Sequence, residues 1–280
     1  MGAFVAATTT PPATSPPVSP PKSPSSSSSA VPIVGTRLVD GLGCVRGPLA
    51  SSYVFREGGK TYLIDTGFPG AATHLRQAFR NAGVPLREVT DILLTHQHPD
   101  HMGGAAYLRW VTNAKVACHA MDAPAVEGRG PRLAPFMIRV LFSRHPVHVD
   151  RVLKDGDTVG PFTVIGTPGH TLGSVAYYHP ERKILFAGDA LVSSSKGLDL
   201  PSRYSNFDPD TAIDSVEKLA ALDVRSIFCG HGRPVLTNAG PLLHEAARRL
   251  SKMPEHKWWT LAGPEGHPET HPDLGALLPK

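Results

Sequence analysis

The chain lacks any uninterrupted apolar run of about 18 residues, the length a helix needs to span a bilayer, so no membrane partner is expected. It also lacks a charge of one dominant sign: 28 Lys and Arg stand against 24 Asp and Glu, a formal net charge of +4. The basic side chains are scattered apart from Arg129, Arg132, Arg139, Arg144 and Arg151, and so mild a balance leaves no electrostatic footprint for nucleic acid. Cysteine is scarce. Cys44, Cys118 and Cys229 are odd in number, far apart and in no CxxC pair, which excludes a disulfide framework and fits a reducing compartment. They read as small buried hydrophobes, and the cytoplasm is the expected location.

The first 30 residues are nearly devoid of charge, with Lys22 alone, while 19 of them are Ser, Thr or Pro. Such a stretch holds too little apolar surface to repay the entropy of ordering and is expected to be a disordered tail. The basic start and apolar core of a secretory signal are missing, and Ala6 stands where a myristoylation signal wants Ser or Thr. A Ser-rich, acid-free segment also suits an organellar transit peptide, a reading weakened by the absence of Arg. The remaining composition, 41% hydrophobic and 19% charged over the whole chain, is that of a globular protein. One folded domain is expected over residues 31–252, followed by a Pro-, Gly- and His-rich tail over 253–280 in which Trp258 and Trp259 dock on the body.

Within the domain, "SSYVFREGGKTYLIDTG" presents two β-rich runs around Gly58 and Gly59, the pattern of a hairpin whose second strand ends at Asp65. "AATHLRQAFRNAG" spaces Leu75, Ala78, Phe79 and Ala82 as a helix closed by Gly83, and "VTDILLTH" is a short buried strand. The second half repeats the arrangement with strands over "DRVLKDGDTVG", "FTVIGTPGHT", "GSVAYYHP" and "KILFAGDA". A helix over "DPDTAIDSVEKLAAL" follows, with Asp208 as N-cap and Pro209 at its first position, then a buried strand "RSIFCGHG" and a helix over "GPLLHEAARRLSKM". Hairpins plus helices in each half predict an α+β fold, a four-layer αββα sandwich of two mixed β-sheets with helices on the outer faces.

"ILLTHQHPDHMGG" then packs His96, His98, Asp100 and His101 into six residues just beyond an apolar strand. Imidazole nitrogen and carboxylate oxygen are what zinc and similar divalent ions take when no thiolate is offered. A catalytic metal takes three protein ligands, so four candidates at one turn suggest shares in two metals. His170 in "TPGHTLGS", Asp189 in "LFAGDA" and His231 in "FCGHG" each follow an apolar run beside glycine. Any one of them alone reads as a turn residue; three at matching strand ends read as the missing ligands.

"THQHPDH", "GHTLGS", "GDA" and "GHG", in this order, resemble the metal-binding motifs of the metallo-β-lactamase superfamily over roughly residues 31–252. The resemblance implies the αββα fold and a two-metal site. It implies His96, His98 and His170 as ligands of one metal, Asp100, His101 and His231 as ligands of the other, and Asp189 as the bridging carboxylate. It implies as nucleophile a metal-bridging hydroxide held between ions about 3.5–4 Å apart, with Asp100 also shuttling the proton to the leaving group. His101 stands where many true β-lactamases have Arg, which turns the expectation away from β-lactams, and His98 stands where the flavodiiron branch has glutamate. Asp65 in "LIDTG" is expected to orient the imidazoles from behind, against the blander reading that it only caps its turn.

The stretch over 128–150 fits no strand the core requires, and its Leu133, Phe136, Met137, Val140 and Leu141 have helical spacing. It reads equally as a lid lining the substrate mouth or as a helix packed on the body. A lactone or other carboxylic ester is the first expectation for the small-molecule substrate, and a glyoxalase-II-like thioester the second. A mononuclear-iron sulfur dioxygenase and a non-catalytic metal-binding module are the further alternatives. Two divalent ions are expected, zinc first, with iron or manganese also accepted by such ligands. The sequence leaves the oligomeric state open.

Overall fold

Two adjacent glycines that both take the left-handed backbone, Gly58 at φ +59° and Gly59 at φ +74°, close the first hairpin. This is the two-residue turn whose twist matches the strands it joins. The computed structural model of the chain describes residues 41–47, 49–129, 146–202 and 205–252. The first sheet begins as an antiparallel meander of β1 (Leu42–Arg46), β2 (Ser51–Glu57) and β3 (Lys60–Ile64). It continues through β4 (Asp91–Leu93), β5 (Lys115–His119) and β6 (Arg151–Leu153), each added parallel to the one before. Parallel addition requires crossovers, and helices supply them: α1 (Ala72–Asn81), the short α2 (Pro99–Met102), α3 (Ala105–Thr112) and the short α4 (Ala123–Val126).

The second sheet orders β11–β10–β9–β8–β7, with β12 also paired to β10. Its strands are β7 (Thr158–Val159), β8 (Phe162–Gly166), β9 (Val175–His179), β10 (Ile184–Ser194), β11 (Gly197–Asp199) and β12 (Ser226–His231). Two helices cover it, α5 (Pro209–Ala220) and α6 (Ala239–Leu250). As the sequence predicts, Asp208 caps α5 by accepting from the backbone N–H groups of Asp210 and Thr211, and Pro209 is the first helical residue. At the end of α1, Gly83 adopts φ +65° and the N–H of Val84 reaches back to the carbonyl of Phe79, a Schellman closure.

Three apolar layers hold the four layers together. Leu63, Ile92 and Val116 face Leu75, Phe79 and Leu108 of α1 and α3. Leu185, Leu191 and Ile227 face Val216, Leu219 and Leu243 of α5 and α6. Between the sheets lie Phe55, Tyr62, Phe162, Tyr177, Phe186 and Phe228, with Phe55 and Phe162 meeting edge-on at a centroid distance of 5.1 Å. Truncating one such buried ring to Ala costs roughly 3–5 kcal/mol, so this central seam fixes how the sheets face each other. The observed architecture is the αββα sandwich with outer helices.

The topology gathers strand ends. β3, β4 and β5 are parallel, so their C-terminal ends emerge along one edge at Asp65, at Thr95 and His96, and at His119 to Asp122. β10 breaks its pairing with β12 in two register shifts between Phe186 and Val192, and such a bulge re-aims a side chain, here that of Asp189. Among the described residues no helix is long and apolar enough to cross a membrane. All three cysteines are buried and unpaired, and burial pushes the Cys44 thiol up to about 11. The expectations for residues 1–30, for 130–145 within the 128–150 stretch, and for Trp258 and Trp259 lie outside the described residues.

Candidate metal centre

Beyond β4 the chain turns at once. His98 occupies the N-cap of α2, Pro99 begins the helix, and the carbonyl of His101 accepts from both the N–H and the hydroxyl of Thr66. His96 and His101 are thereby driven inward, while His98 and Asp100 stay half-buried at the open side. His170 arrives on the loop between β8 and β9, Asp189 on the bulge of β10, and His231 at the end of β12.

The seven side chains converge. One trio is His96, His98 and His170, a second is Asp100, His101 and His231, and a third set joins His96, His101 and Asp189, with ligand atoms in each set within 4.8 Å of one another. Asp189 sits between the two trios. Its Oδ2 is 3.4 Å from His170 Nε2 and 3.2 Å from His231 Nε2, and its Oδ1 is 3.3 Å from His101 Nε2. Asp100 Oδ2 lies 3.3 Å from His231 Nε2. No side chain fits beneath them at Gly230, where a Cβ would come within 2.2 Å of Asp189 Oδ1 and 2.4 Å of His101 Cε1.

The residues behind the imidazoles decide which nitrogen faces inward. Asp65 Oδ1 accepts from the Thr95 N–H, and its Oδ2 accepts from the Thr95 hydroxyl and from His101 Nδ1, each at 2.8 Å. Because the Thr95 hydroxyl gives its proton to Asp65, it can only accept at 3.0 Å from His96 Nδ1, which leaves the Nε2 lone pair of His96 pointing inward. Asp65 therefore orients His101 directly and His96 through Thr95. His170 Nδ1 donates to Asn206 Oδ1 at 3.0 Å, so its Nε2 also faces inward, 2.9 Å from His98 Nδ1.

These donors suit a divalent cation. His96 Nε2, His101 Nε2 and Asp189 Oδ1 are buried and have no hydrogen-bond partner. Leaving a buried polar atom unpaired costs about 1–3 kcal/mol, and these three orphans lie together and offer imidazole and carboxylate as ligands. The electrostatics divide the site. Burial, reinforced by neighbouring imidazoles, lowers His96 well below its ordinary value and brings His98 down to about 4. At His101 burial pulls the same way, but Asp189 and Asp65 outweigh it and raise the ring to about 9. Hydrogen bonds to Asp100 and Asp189 raise His231 to about 10. Burial opposes the charge on Asp100, yet His231 and His101 hold its carboxyl well below the usual range.

Residues 45–231 match the family model described as the metallo-beta-lactamase superfamily. The chain belongs to the metallo-β-lactamase superfamily. It is 30% identical over 219 residues to the probable metallo-hydrolase YflN of Bacillus subtilis, an alignment covering 68% of this chain and 83% of that one. It is 35% identical over 156 residues to a hydroxyacylglutathione hydrolase of Pseudomonas aeruginosa, covering 54% of this chain and 50% of that protein. The chain thus spans about half the length of that relative. Among solved structures, TTHA1623 in a di-iron-bound form superposes with a TM-score of 0.57 at 28% identity, covering 70% of this chain and 95% of that one.

Three residues close to the superfamily site are not singled out by the sequence. Thr95 is hidden at a strand end, and Asn206 sits in a loop two residues before a helix cap. Asp122 lies in "MDAP", which looks like an N-cap followed by Pro in the first turn. It does occupy the N-cap of α4, yet its side chain makes no capping hydrogen bond.

Proposed function

We propose that this superfamily member is a binuclear metal-dependent hydrolase that cleaves a carboxylic ester bond, a lactone first. In this reading His96, His98 and His170 hold one divalent ion, Asp100, His101 and His231 hold a second, and Asp189 serves both. The observation that carries it is the pair of trios meeting at Asp189 with buried, unpartnered nitrogen and oxygen atoms turned inward. Bound zinc, iron or manganese supplies water activation near neutral pH and polarisation of the scissile carbonyl.

The chain's own groups supply position and proton handling. Asp65, Thr95 and Asn206 engage the Nδ1 atoms of His101, His96 and His170, which leaves Nε2 of each as the nitrogen free to meet a metal ion. In the same reading Asp100, partly open to solvent and beside His231, takes a proton and passes it to the leaving oxygen. Leu172 follows His170 by two residues, and Phe207 donates its N–H to the carbonyl of His170; both side chains are exposed, and in this reading they meet an apolar acyl group. The likeness to hydroxyacylglutathione hydrolases supports a thioester as the second substrate class. Three buried, unpaired thiols suit the cytoplasm.

The test is metal analysis of the purified chain followed by a panel of lactones, aryl esters, thioesters and phosphodiesters. Two ions per chain with fastest turnover of lactones or aryl esters is the expected result, and Asp100→Ala abolishes most of it. Two ions with no turnover of any substrate would leave a binding module. A single iron with oxygen uptake on persulfides would make it a dioxygenase.

A further inference from the structure

Asp122 is fully buried, and its carboxylate collects hydrogen bonds from two loops that are far apart in the chain. Oδ2 accepts from the backbone N–H of Gln97 at 2.9 Å and from the Thr171 hydroxyl at 2.8 Å. Oδ1 accepts from the backbone N–H of Gly173 at 2.9 Å and from Gln97 Nε2 at 3.4 Å. Gln97 is the residue between His96 and His98, and Thr171 follows His170 directly. One side chain therefore ties together the two loops that carry all three members of the imidazole trio.

Two further facts separate this from ordinary packing. All of the hydrogen-bonding groups around Asp122 are neutral, and a buried carboxylate without a cation is destabilising in itself compared with an apolar residue. Gly173 has been brought so close that a Cβ there would lie 2.6 Å from Asp122 Cγ. The carboxylate also leaves the helix start that it flanks uncapped.

We propose that Asp122 is a positioning residue for the His96, His98 and His170 trio, setting the separation of its two loops as Asp65 sets the imidazoles of His101 and His96. The proposal rests on the reading that this trio holds a metal ion. Asp122→Asn keeps the shape but turns an NH2 group towards N–H and O–H donors, so the clip opens on one side.

The test is a titration of cobalt(II) into chelator-treated full-length protein, read by its visible absorption, with thermal melting of the metal-free forms alongside. In Asp122→Asn one equivalent is expected to bind about 10–100-fold more weakly, while the other binds as in the parent. Thr171→Val, which removes one donor without changing shape, is expected to shift the same equivalent by less, and Thr171→Ser, which keeps the hydroxyl, restores it. If Asp122→Asn fails to fold, the Thr171 pair decides. Unchanged affinity for both equivalents, or a lower melting temperature with both affinities intact or equally weakened, would overturn the proposal. A parent protein that binds no cobalt would overturn the metal-site reading beneath it.

Discussion

Each trio takes two of its members from the same turn, residues 96–101, yet the two hold different charge states. His96, His98 and His170 face one another as imidazoles whose protonation burial disfavours. His101 and His231 face Asp100, Asp189 and Asp65 and are raised to about 9 and 10. Without metal the first trio is a set of neutral imidazoles and the second is a proton-filled ion-pair network. On the proposed reading the difference means that protons hold in the second trio the place that a divalent ion would take, and binding would release them.

The largest expected effect removes what the trios share. Asp189→Ala deletes the carboxylate within 3.4 Å of His170, His231 and His101, and loss of both metal retention and hydrolysis by more than about 100-fold is expected, beyond the range for outer partners. Metal analysis beside an ester assay checks it. Asp65→Asn should cost about 10–100-fold in metal affinity and touch both trios, since Asp65 reaches His101 directly and His96 through Thr95.

The third expected effect is in pH. Because His101 and His231 are raised to about 9 and 10, both are protonated at neutral pH in the metal-free chain. Affinity at the second trio should therefore rise about tenfold per pH unit for each proton displaced, whereas His98, lowered to about 4, leaves the first trio nearly flat above pH 6. Metal-binding isotherms between pH 6 and 8 separate the two slopes. The stability of the metal-free fold moves in the same direction at acid pH. A histidine lowered from 6.5 to about 4 binds fewer protons folded than unfolded between those values, so stability falls as pH drops through that window, as melting at graded pH will show. The smallest effect is Asn206→Ala, which removes one acceptor from His170 Nδ1 and should weaken the first trio by about tenfold, the low end for such partners.

Much of this architecture is legible in the sequence where local chemistry and tertiary structure agree. The Gly58–Gly59 turn, the Gly83 closure and the Asp208 cap are decided by residues within a few positions of one another, and the dense "THQHPDH" cluster has few explanations other than a cation. What resists reading is carried by distance. β11 and β7 are too short to show alternation, and the bulge that aims Asp189 exists only through pairing with β12. Asp122 is the sharpest case. Its local context in "MDAP" argues for a helix cap, and partners 25 to 51 residues away redirect the side chain.

Crystals of the chain grown with zinc, measured for anomalous scattering at the zinc edge, test the central claim most directly. The account predicts two peaks, one among His96, His98 and His170 and one among Asp100, His101 and His231, with Asp189 in contact with both. A single peak, or peaks away from these side chains, would contradict it.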